Sequence, residues 1–180
     1  MPGSGKTAFA RAIGERWGFA MTDLDELVES QCGTSLGSLS SLYGERQFRA
    51  LERFCLLNVL SGSPVVLSTG GGTPAHFDNM NHLLGSSAVI YIERNTDWVS
   101  RQLVVRPRAF LDHDLSPGDL TAKLFANRQG QYARAHLTLH ADCPDHKRLA
   151  AVEEFCRKFA IIADRIQYGT ENPQHNHSRI

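Results

Sequence analysis

The sequence has few cysteines, and those it has are widely spaced. Its four cysteines, Cys32, Cys55, Cys143 and Cys156, include no C-x-x-C pair. A zinc ribbon, a dithiol redox motif and the disulfide framework of a small secreted domain are therefore not expected. We expect reduced thiols and a cytoplasmic protein.

Long apolar runs and a net charge are lacking as well. No apolar stretch approaches the roughly 20 residues that a membrane-spanning helix needs, and the first residues do not show the basic and apolar segments of a signal peptide. Nineteen Lys and Arg residues balance nineteen Asp and Glu residues, so no overall field attracts nucleic acid or a membrane surface. We expect neither as a partner, and any phosphate binding must come from a local arrangement of cations and amides.

What the chain does have is the composition and pattern of one α/β domain. Its 180 residues, 42% of them apolar, suit a single domain with one sizeable core. Short apolar runs predict strands at 19–23, 64–67, 88–92 and 137–141. Helices are predicted at 5–17, from 24 to about 41 with an interruption near 32–34, and at 45–60, 118–135 and 146–163, with a basic loop at 101–117. This alternation predicts a parallel sheet with helices on both faces, an α/β fold in three layers.

The chain opens with MPGSGKT, which fits the phosphate-binding pattern G-x-x-x-x-G-K-[ST] from its second position onward. In such a loop, glycines let successive backbone N–H groups point at phosphate oxygens, and the helix that follows presents its positive end to the same charge. Gly3, Ser4 and Gly5 would form the loop of an ATP site. Lys6 would reach the β- and γ-phosphates, and Thr7 would ligate Mg²⁺. The alternative is a chance G-S-G-K-T in a flexible N-terminus.

The first glycine of this pattern would stand one residue before Met1, together with the strand that normally precedes the loop. Such a strand would contribute about three core side chains at roughly 1.5–3 kcal/mol each, against a total stability of about 5–15 kcal/mol. We therefore expect the sequence to be a truncated reading of a longer protein or the product of a decayed gene. An in-frame apolar segment ending in glycine just upstream in the DNA would support truncation.

Asp23 and Asp25 form an acidic pair at the end of a predicted strand. If the extended geometry persists, both side chains point to one side of the sheet edge where ligands bind in α/β folds. Phosphoryl transfer needs one carboxylate near Mg²⁺ and another to orient or deprotonate the attacking hydroxyl. The alternative is a helix cap, because the pair directly precedes a helical segment.

Five motifs occur in an order and spacing that resembles the shikimate kinase family. That family carries a P-loop, an Asp-x-Asp, a G-E-x-x-F-R-x-x-E stretch, a Gly-Gly-Gly and a lid with Arg-Pro. The corresponding segments here are residues 3–7, 23–25, 44–52, 70–72 and 106–107. The likeness runs from residue 1 to about 163, and it implies the P-loop kinase fold with a lid loop and substrate-binding helices, its central first strand being absent from this chain.

The resemblance implies roles for the matched acids and arginines. Asp25 would bind substrate hydroxyls and act as the base, and Asp23 would hold Mg²⁺ through water. Arg49 would grip the substrate carboxylate, because a planar guanidinium suits bidentate contact with that group. Its alternative is a surface salt bridge with a neighbouring glutamate on the same helix. Arg128 stands where the family has a second carboxylate-binding arginine.

The resemblance also assigns the triple glycine to the substrate. Gly71, between Gly70 and Gly72, would offer its backbone amide, since glycine is needed where a ligand approaches the main chain closely. The alternative is a plain flexible turn after a strand.

A lid at about 101–117 is the remaining implied element. Arg106 would bring positive charge to the transferring phosphoryl group, and Arg101 would help hold the adenine. Two leucines usually follow Arg-Pro in the family, whereas Arg108 follows it here, so Arg108 is the alternative lid arginine.

The resemblance as a whole implies an ATP- and Mg²⁺-dependent kinase that phosphorylates the 3-hydroxyl of shikimate, on the route to aromatic amino acids. We expect a monomer with one domain at 1–165 and a polar, disordered tail at 166–180. Two alternatives stay open: a gluconate or other small-molecule P-loop kinase, and an inactive P-loop domain retained for binding.

Overall fold

A computed structural model describes residues 1, 3–105 and 114–158 of the chain. The helices are α1 (Lys6–Trp17), α2 (Leu24–Cys32), α3 (Leu36–Leu60), α4 (Asn79–Ser86), α5 (Thr96–Val105), α6 (Pro117–Tyr132) and α7 (Asp145–Lys158), with a short 3-10 helix at Thr73–Ala75. The strands are β1 (Met21–Asp23), β2 (Val66–Ser68), β3 (Ile90–Glu93) and β4 (Leu137–His140). The predicted tail at 166–180 lies outside the described residues.

The four strands form two parallel pairs. β1 pairs with β2, with Thr22 opposite Leu67, and β3 pairs with β4, with Tyr91 opposite Thr138. Within the described part of the chain no ladder joins β2 to β3, so the strands belong to two sheets of two. Helices pack on both pairs, α1 on β1 and β2 and α7 on β4. The predicted α/β class with short parallel strands is confirmed.

The apolar interior falls into three clusters rather than the single core expected. The first joins α2, α3 and α4, with Phe48 and Leu56 almost fully buried. The second lies between α1, the β3–β4 pair and α7, and the third between α5 and α6. No described strand links the two sheets. The clusters on either side are therefore not joined by side chains of a common strand.

Helix α3 consists of two helical segments joined at a break. The sequence predicts a helix ending near Ser41 and a second one beginning at 45, and the backbone between them is non-helical at Gly44 (φ 79, ψ 164). A residue with a side chain rarely adopts that backbone conformation, so glycine permits the break. The C-terminal half of α3 then carries Arg49 and Glu52 toward the ends of β1 and β2.

Helix α5 was not predicted and corrects the expected basic loop at 101–117. Its first turn is held by the Asn95 side chain, whose Oδ1 accepts a hydrogen bond from the Asp97 N–H over 2.7 Å. Val99 and Leu103, four residues apart, are buried against α6. Arg101 therefore lies on a helix rather than in a loop, and the part of the predicted lid at 106–113 lies outside the described residues.

Two further features bear on the cell biology of the chain. All four cysteines are free thiols. Among the helices of ranges 3–105 and 114–158, none combines the length and the apolar character needed to cross a bilayer.

The end of α1 shows why one helical glycine is needed. Gly18 adopts a left-handed conformation (φ 69), and the N–H groups of Gly18 and Phe19 both reach the Gly14 carbonyl oxygen. This closure turns the Phe19 carbonyl back on the helix, where a Cβ added at Gly14 would lie 2.9 Å from it. In α6, by contrast, Gly130 is exposed and a Cβ there would meet nothing within 4 Å.

Replacing each of these two glycines with alanine should therefore change the free energy of unfolding in opposite directions. We expect Gly14→Ala to lower the free energy of unfolding by about 1–3 kcal/mol, because backbone atoms must shift to admit the methyl group. Gly130→Ala should raise it by about 0.5–1 kcal/mol, because alanine has the better helix propensity and no clash. Urea unfolding followed by circular dichroism measures both, and a stabilised Gly14→Ala would contradict the packing at the end of α1.

Candidate active site

A cleft with a volume of about 360 Å³ opens where α1, β1, β2 and α3 meet. Most residues that the sequence predicted for the site line it: Gly3, Ser4, Gly5, Lys6, Thr7, Asp23, Asp25, Arg49, Gly70, Gly71, Gly72 and Arg128. The cleft therefore brings a phosphate loop, two acids and two arginines to one place.

The glycine-rich loop enters α1 in a conformation suited to anions. Gly3 and Gly5 have positive φ angles (65° and 84°), and α1 begins without a side-chain cap. The first N–H groups of a helix have no partner within the helix, so they are ready donors for phosphate oxygens. Lys6 donates to the Met1 carbonyl oxygen over 2.8 Å, and its Nζ lies 3.4 Å from Ser4 Oγ. Its ammonium thus lies over the loop that it follows.

Thr7 and Asp23 meet at the carboxyl end of β1. The Thr7 hydroxyl donates to Asp23 Oδ2 over 2.8 Å and lies 3.3 Å from the Ser68 hydroxyl at the end of β2. Asp23 Oδ1 accepts from the Asp25 N–H over 3.0 Å, which caps α2. The extended geometry expected across the acidic pair therefore ends at Asp23, and Asp25 lies in the first turn of a helix.

The geometry thus agrees with both interpretations of the acidic pair, because Asp23 caps α2 and both aspartates line the cleft. Asp23 uses one oxygen for the cap and the other for Thr7. Asp25 lines the cleft, and its Oδ1 would be 2.9 Å from a Cβ added at Gly70.

Gly70 and Gly72 are required by close approaches rather than by a flexible turn. A Cβ at Gly70 would also meet Glu52 Oε1 at 2.9 Å, and one at Gly72 would meet Arg49 Nη2 at 2.7 Å. Real Cβ atoms essentially never come this close to other atoms, so any side chain would push charged groups away from the loop.

Arg49 is paired, but it is not on the surface. Its guanidinium donates to Glu52 Oε2 over 3.1 Å and to Glu45 Oε1 over 3.4 Å, while the residue is only 3% exposed. The salt bridges considered as the alternative are therefore present, and they hold the arginine inside the cleft. Its charged end also lies 4.9 Å from the centre of the Phe48 ring.

Sequence reasoning did not assign Glu52 and Thr73 to the site. Glu52 is 1% exposed, and its Oε1 accepts from the Thr73 hydroxyl over 2.7 Å. The available signal was the position of Glu52 three residues after Arg49 on the same helix face. No pattern in the sequence indicates Thr73, because that contact joins α3 to the 3-10 helix, 21 residues further along the chain.

Helix α6 contributes Arg128 and Tyr132 to the far side of the loop at residues 70–72, called the glycine loop below. Arg128 is 7% exposed, and its Nη1 would lie 3.4 Å from a Cβ at Gly71. The Tyr132 hydroxyl donates to the Gly71 carbonyl oxygen over 2.6 Å. Burial raises the pKa of Tyr132, although the nearby charge of Arg128 acts in the opposite direction.

Two predicted site residues do not join this arrangement. Arg101 is exposed on α5 and does not line the cleft, which its neighbour Gln102 does. Arg106, like Arg108, lies outside the described residues. The contact of α5 with the phosphate loop comes instead from Trp98, whose Nε1 donates to the Gly3 carbonyl oxygen over 3.0 Å.

The cleft combines a glycine-rich loop leading into a helix, a Thr–Asp pair at a strand end and two buried arginines. This combination is typical of a P-loop phosphotransferase, and the arginines suit an acidic acceptor. Comparison with known proteins narrows this class. A profile of the family described as "Shikimate kinase" matches residues 2–160. The chain belongs to the shikimate kinase family.

Individual relatives agree with this membership. The shikimate kinase of Mesorhizobium japonicum is 29% identical over 162 residues, which cover 88% of this chain and 79% of the relative. The crystal structure of the shikimate kinase from Bacteroides thetaiotaomicron superposes with a TM-score of 0.75 at 25% identity, over 87% of this chain and 94% of that one. The shikimate kinase from Acinetobacter baumannii in complex with shikimate has the same fold, with a TM-score of 0.77 at 24% identity and coverage of 87% and 88%.

Membership in this family confirms the resemblance that the five motifs predicted. It also confirms the predicted activity, the ATP-dependent phosphorylation of shikimate. The roles of the individual residues stay predictions.

The buried pair of Arg49 and Glu52 should be sensitive to loss of one charge. We expect Glu52→Gln to lower the free energy of unfolding by about 3–5 kcal/mol, because a buried guanidinium loses its main counter-charge. Urea unfolding at neutral pH measures the change.

Glu45→Gln provides the matched control, since Glu45 also pairs with Arg49 but its side chain is 55% exposed. Its loss should change the free energy of unfolding by no more than about 1 kcal/mol. Equal effects of the two substitutions would show that burial does not decide the strength of this pair.

Proposed function

We propose that this chain transfers the γ-phosphoryl group of ATP to the 3-hydroxyl of shikimate, giving shikimate 3-phosphate and ADP. One observation carries the proposal: the cleft that holds Lys6 and Thr7 also holds Asp25, Arg49 and Arg128. A phosphate donor and a carboxylate-bearing acceptor would thus be bound side by side. Positioning and charge neutralisation supply most of the catalysis in phosphoryl transfer.

ATP would bind through the loop at the start of α1. Backbone N–H groups of residues 3–7 would cradle the β- and γ-phosphates, and the Lys6 ammonium would leave its present partners for the phosphate oxygens. The buried Ser4 and the Trp98 contact to Gly3 support a loop held in one shape before the nucleotide arrives.

The oxygens of Thr7 and Asp23 fit Mg²⁺. Hydroxyl and carboxylate oxygens are the ligands that Mg²⁺ prefers, and in nucleotide sites it is held by one or two carboxylates together with phosphates and waters. Within the described residues, no group of three or more acidic, histidine or cysteine side chains could hold a metal by itself, which agrees with a site that is completed by the nucleotide. Bound there, Mg²⁺ would neutralise charge on the β- and γ-phosphates.

The acceptor would be held by its two kinds of polar group. Arg49 and Arg128 lie against Gly72 and Gly71, respectively, so the two guanidinium groups flank the glycine loop and would share the carboxylate of the acid. Asp25, which approaches Gly70, would take the ring hydroxyls. As the new O–P bond forms and the bond to ADP breaks, Asp25 would accept the proton of the attacking hydroxyl.

Further predictions belong to the same proposal. We place residues 1–165 in a single domain, with a lid that includes Arg106 near the transferring phosphoryl group and Arg101 near the adenine. We propose a monomeric, cytoplasmic enzyme. We also propose that it has no nucleic-acid partner, and the balanced net charge of the chain supports this last point.

The assay for the reaction is ADP formation coupled to NADH oxidation. We expect ADP release that depends on both shikimate and Mg²⁺, with gluconate and nucleoside monophosphates giving no rate above background at equal concentration. Release that depends on gluconate or on a nucleoside monophosphate would favour the alternative kinase. Absence of any acceptor-dependent turnover, combined with measurable ATP binding, would favour an inactive binding domain.

Asp25→Asn should lower the rate of the chemical step without weakening the binding of ATP. Because the amide cannot accept the proton, kcat should fall by about 10²–10⁴-fold, while the KM for ATP changes little. Steady-state kinetics with each substrate varied in turn measures both effects.

Glu26→Gln is the control, because Glu26 is an exposed acid in the same first turn of α2 and its loss affects the helix dipole similarly. It should leave kcat within about twofold of the parent value, well under the tenfold that 1.36 kcal/mol of barrier represents. Equal losses of kcat in the two variants would argue against Asp25 as the base.

A further inference from the structure

The hydroxyl of Tyr132 makes a long-range contact in the glycine loop at residues 70–72. It donates to the Gly71 carbonyl oxygen over 2.6 Å, across 61 residues of sequence. The residue is 6% exposed, and its ring stacks on that of Tyr91 in β3, with centroids 4.8 Å apart and planes at 23°. The same hydroxyl lies 3.6 Å from Met1 Sδ, and sulfur is a weaker acceptor than the carbonyl oxygen at 2.6 Å. The ring and the hydroxyl are thus both held in place, and the hydroxyl donates to the loop.

The glycine loop needs a partner of this kind. The Gly70 carbonyl accepts from the Thr73 N–H over 3.2 Å, and the Gly72 carbonyl accepts from the Ala75 N–H over 2.9 Å. These two contacts are local. The contact to the Gly71 carbonyl joins the loop to a different helix, and three successive glycines have no side chains with which to restrict their own backbone.

A fixed carbonyl also fixes its neighbours. The carbonyl oxygen of Gly71 and the N–H of Gly72 belong to one planar peptide unit, so holding the oxygen sets the direction of the N–H. Arg128 lies one turn before Tyr132 on α6, on the same face of the helix. Its Nη1 comes within 3.4 Å of where a Gly71 Cβ would be. Tyr132 and Arg128 therefore approach the same loop residue, Gly71, from one face of α6.

We propose that Tyr132 is a positioning residue for the acidic acceptor, holding the Gly71 carbonyl so that the loop amides and Arg128 keep the geometry in which the acid binds. The proposal rests on the proposed function, which places the acid against this loop. Burial raises the pKa of the Tyr132 phenol, so the hydroxyl keeps its proton and remains a donor at neutral pH.

Tyr132→Phe removes the hydroxyl and keeps the stacked ring. We expect the KM for shikimate to rise about tenfold, in line with the loss of one buried hydrogen bond and an unsatisfied carbonyl, while the KM for ATP stays within about twofold of the parent, which is less than one such bond is worth. A purely structural role would instead change both KM values alike, or lower kcat with neither KM changed.

Tyr91→Phe is the matched control. It makes the same chemical change on the other ring of the stack, at a residue that is half-buried and does not bond the loop. Both KM values should remain at the parent level. Equal effects of the two substitutions, or an unchanged KM for shikimate in Tyr132→Phe, would overturn the proposal.

Hydrogen exchange tests the positioning without any substrate. In Tyr132→Phe, amides in a peptide covering residues 70–75 should exchange about tenfold faster, the factor expected when about 1.4 kcal/mol of restraint is lost. Peptides from β3 and α7 should be unchanged, and Tyr91→Phe should behave like the parent. Unaltered exchange at 70–75 would overturn the proposal even if kinetics had changed.

The two experiments also separate this inference from the function on which it rests. If the parent protein forms no ADP with shikimate, the proposed function fails, and the exchange result alone decides whether Tyr132 holds the loop. If turnover is normal but exchange and the KM for shikimate do not respond to Tyr132→Phe, the function stands and the inference fails.

Discussion

The part of the cleft that is proposed to bind the acidic acceptor depends on the buried ion pair between Arg49 and Glu52. Removing both charges from water costs several kcal/mol per ion, and this cost is offset only when each group is well hydrogen-bonded. Glu52 meets that condition by accepting from Arg49 with one oxygen and from Thr73 with the other. Because Thr73 begins the 3-10 helix that follows the glycine loop, the same carboxylate orients the arginine and ties the loop to α3. The charge pair is therefore a joint between two elements as well as an electrostatic contact.

This joint continues into a buried polar network. The carbonyl of Thr73 accepts from the Asn79 amide over 2.9 Å, and the Asn79 side chain in turn accepts from Arg53, one turn after Arg49 on α3. Both Thr73 and Asn79 are fully buried. Buried polar groups in such networks stabilise a single arrangement when all are satisfied, and they are costly when one is lost. The glycine loop is thus held at its C-terminal end by α3 and by the start of α4, although its own residues have no side chains.

The parts of the site that residue chemistry alone predicted are those that the local sequence determines, whereas Arg49, Arg128 and the glycines at 70–72 were implied by the family resemblance. A G-S-G-K-T before a helix and an Asp-x-Asp after a short strand each have a mechanical meaning that does not need the rest of the fold, and both line the cleft. Helix α5 was missed because its two buried positions, Val99 and Leu103, form only a short stripe and because its second half falls within the basic loop predicted at 101–117. The burial of Glu52 could not be predicted from its spacing to Arg49, since a glutamate three residues from an arginine is usually a solvated pair, and its contact with Thr73 depends on the packing of the 3-10 helix on α3. Tertiary contacts, rather than propensity, decide these points.

The arrangement around residues 70–72 shows how a loop of glycines could form the proposed binding pocket for an acid. Arg49 approaches from α3 and Arg128 from α6, each to a distance at which a side chain on the loop would collide or press tightly. Two cations on separate helices repel each other unless their positions are fixed, and here each is fixed independently, one by Glu52 and the other by a helix face that is bonded to the loop through Tyr132. Side chains already ordered in this way lose little further entropy on binding, so more of the charge-assisted hydrogen bonding to a carboxylate remains as affinity. In the proposed function, selectivity for an acid would therefore come from rigid elements that surround a loop with no side chains, and glycine contributes by leaving the space in which charged groups and main chain meet.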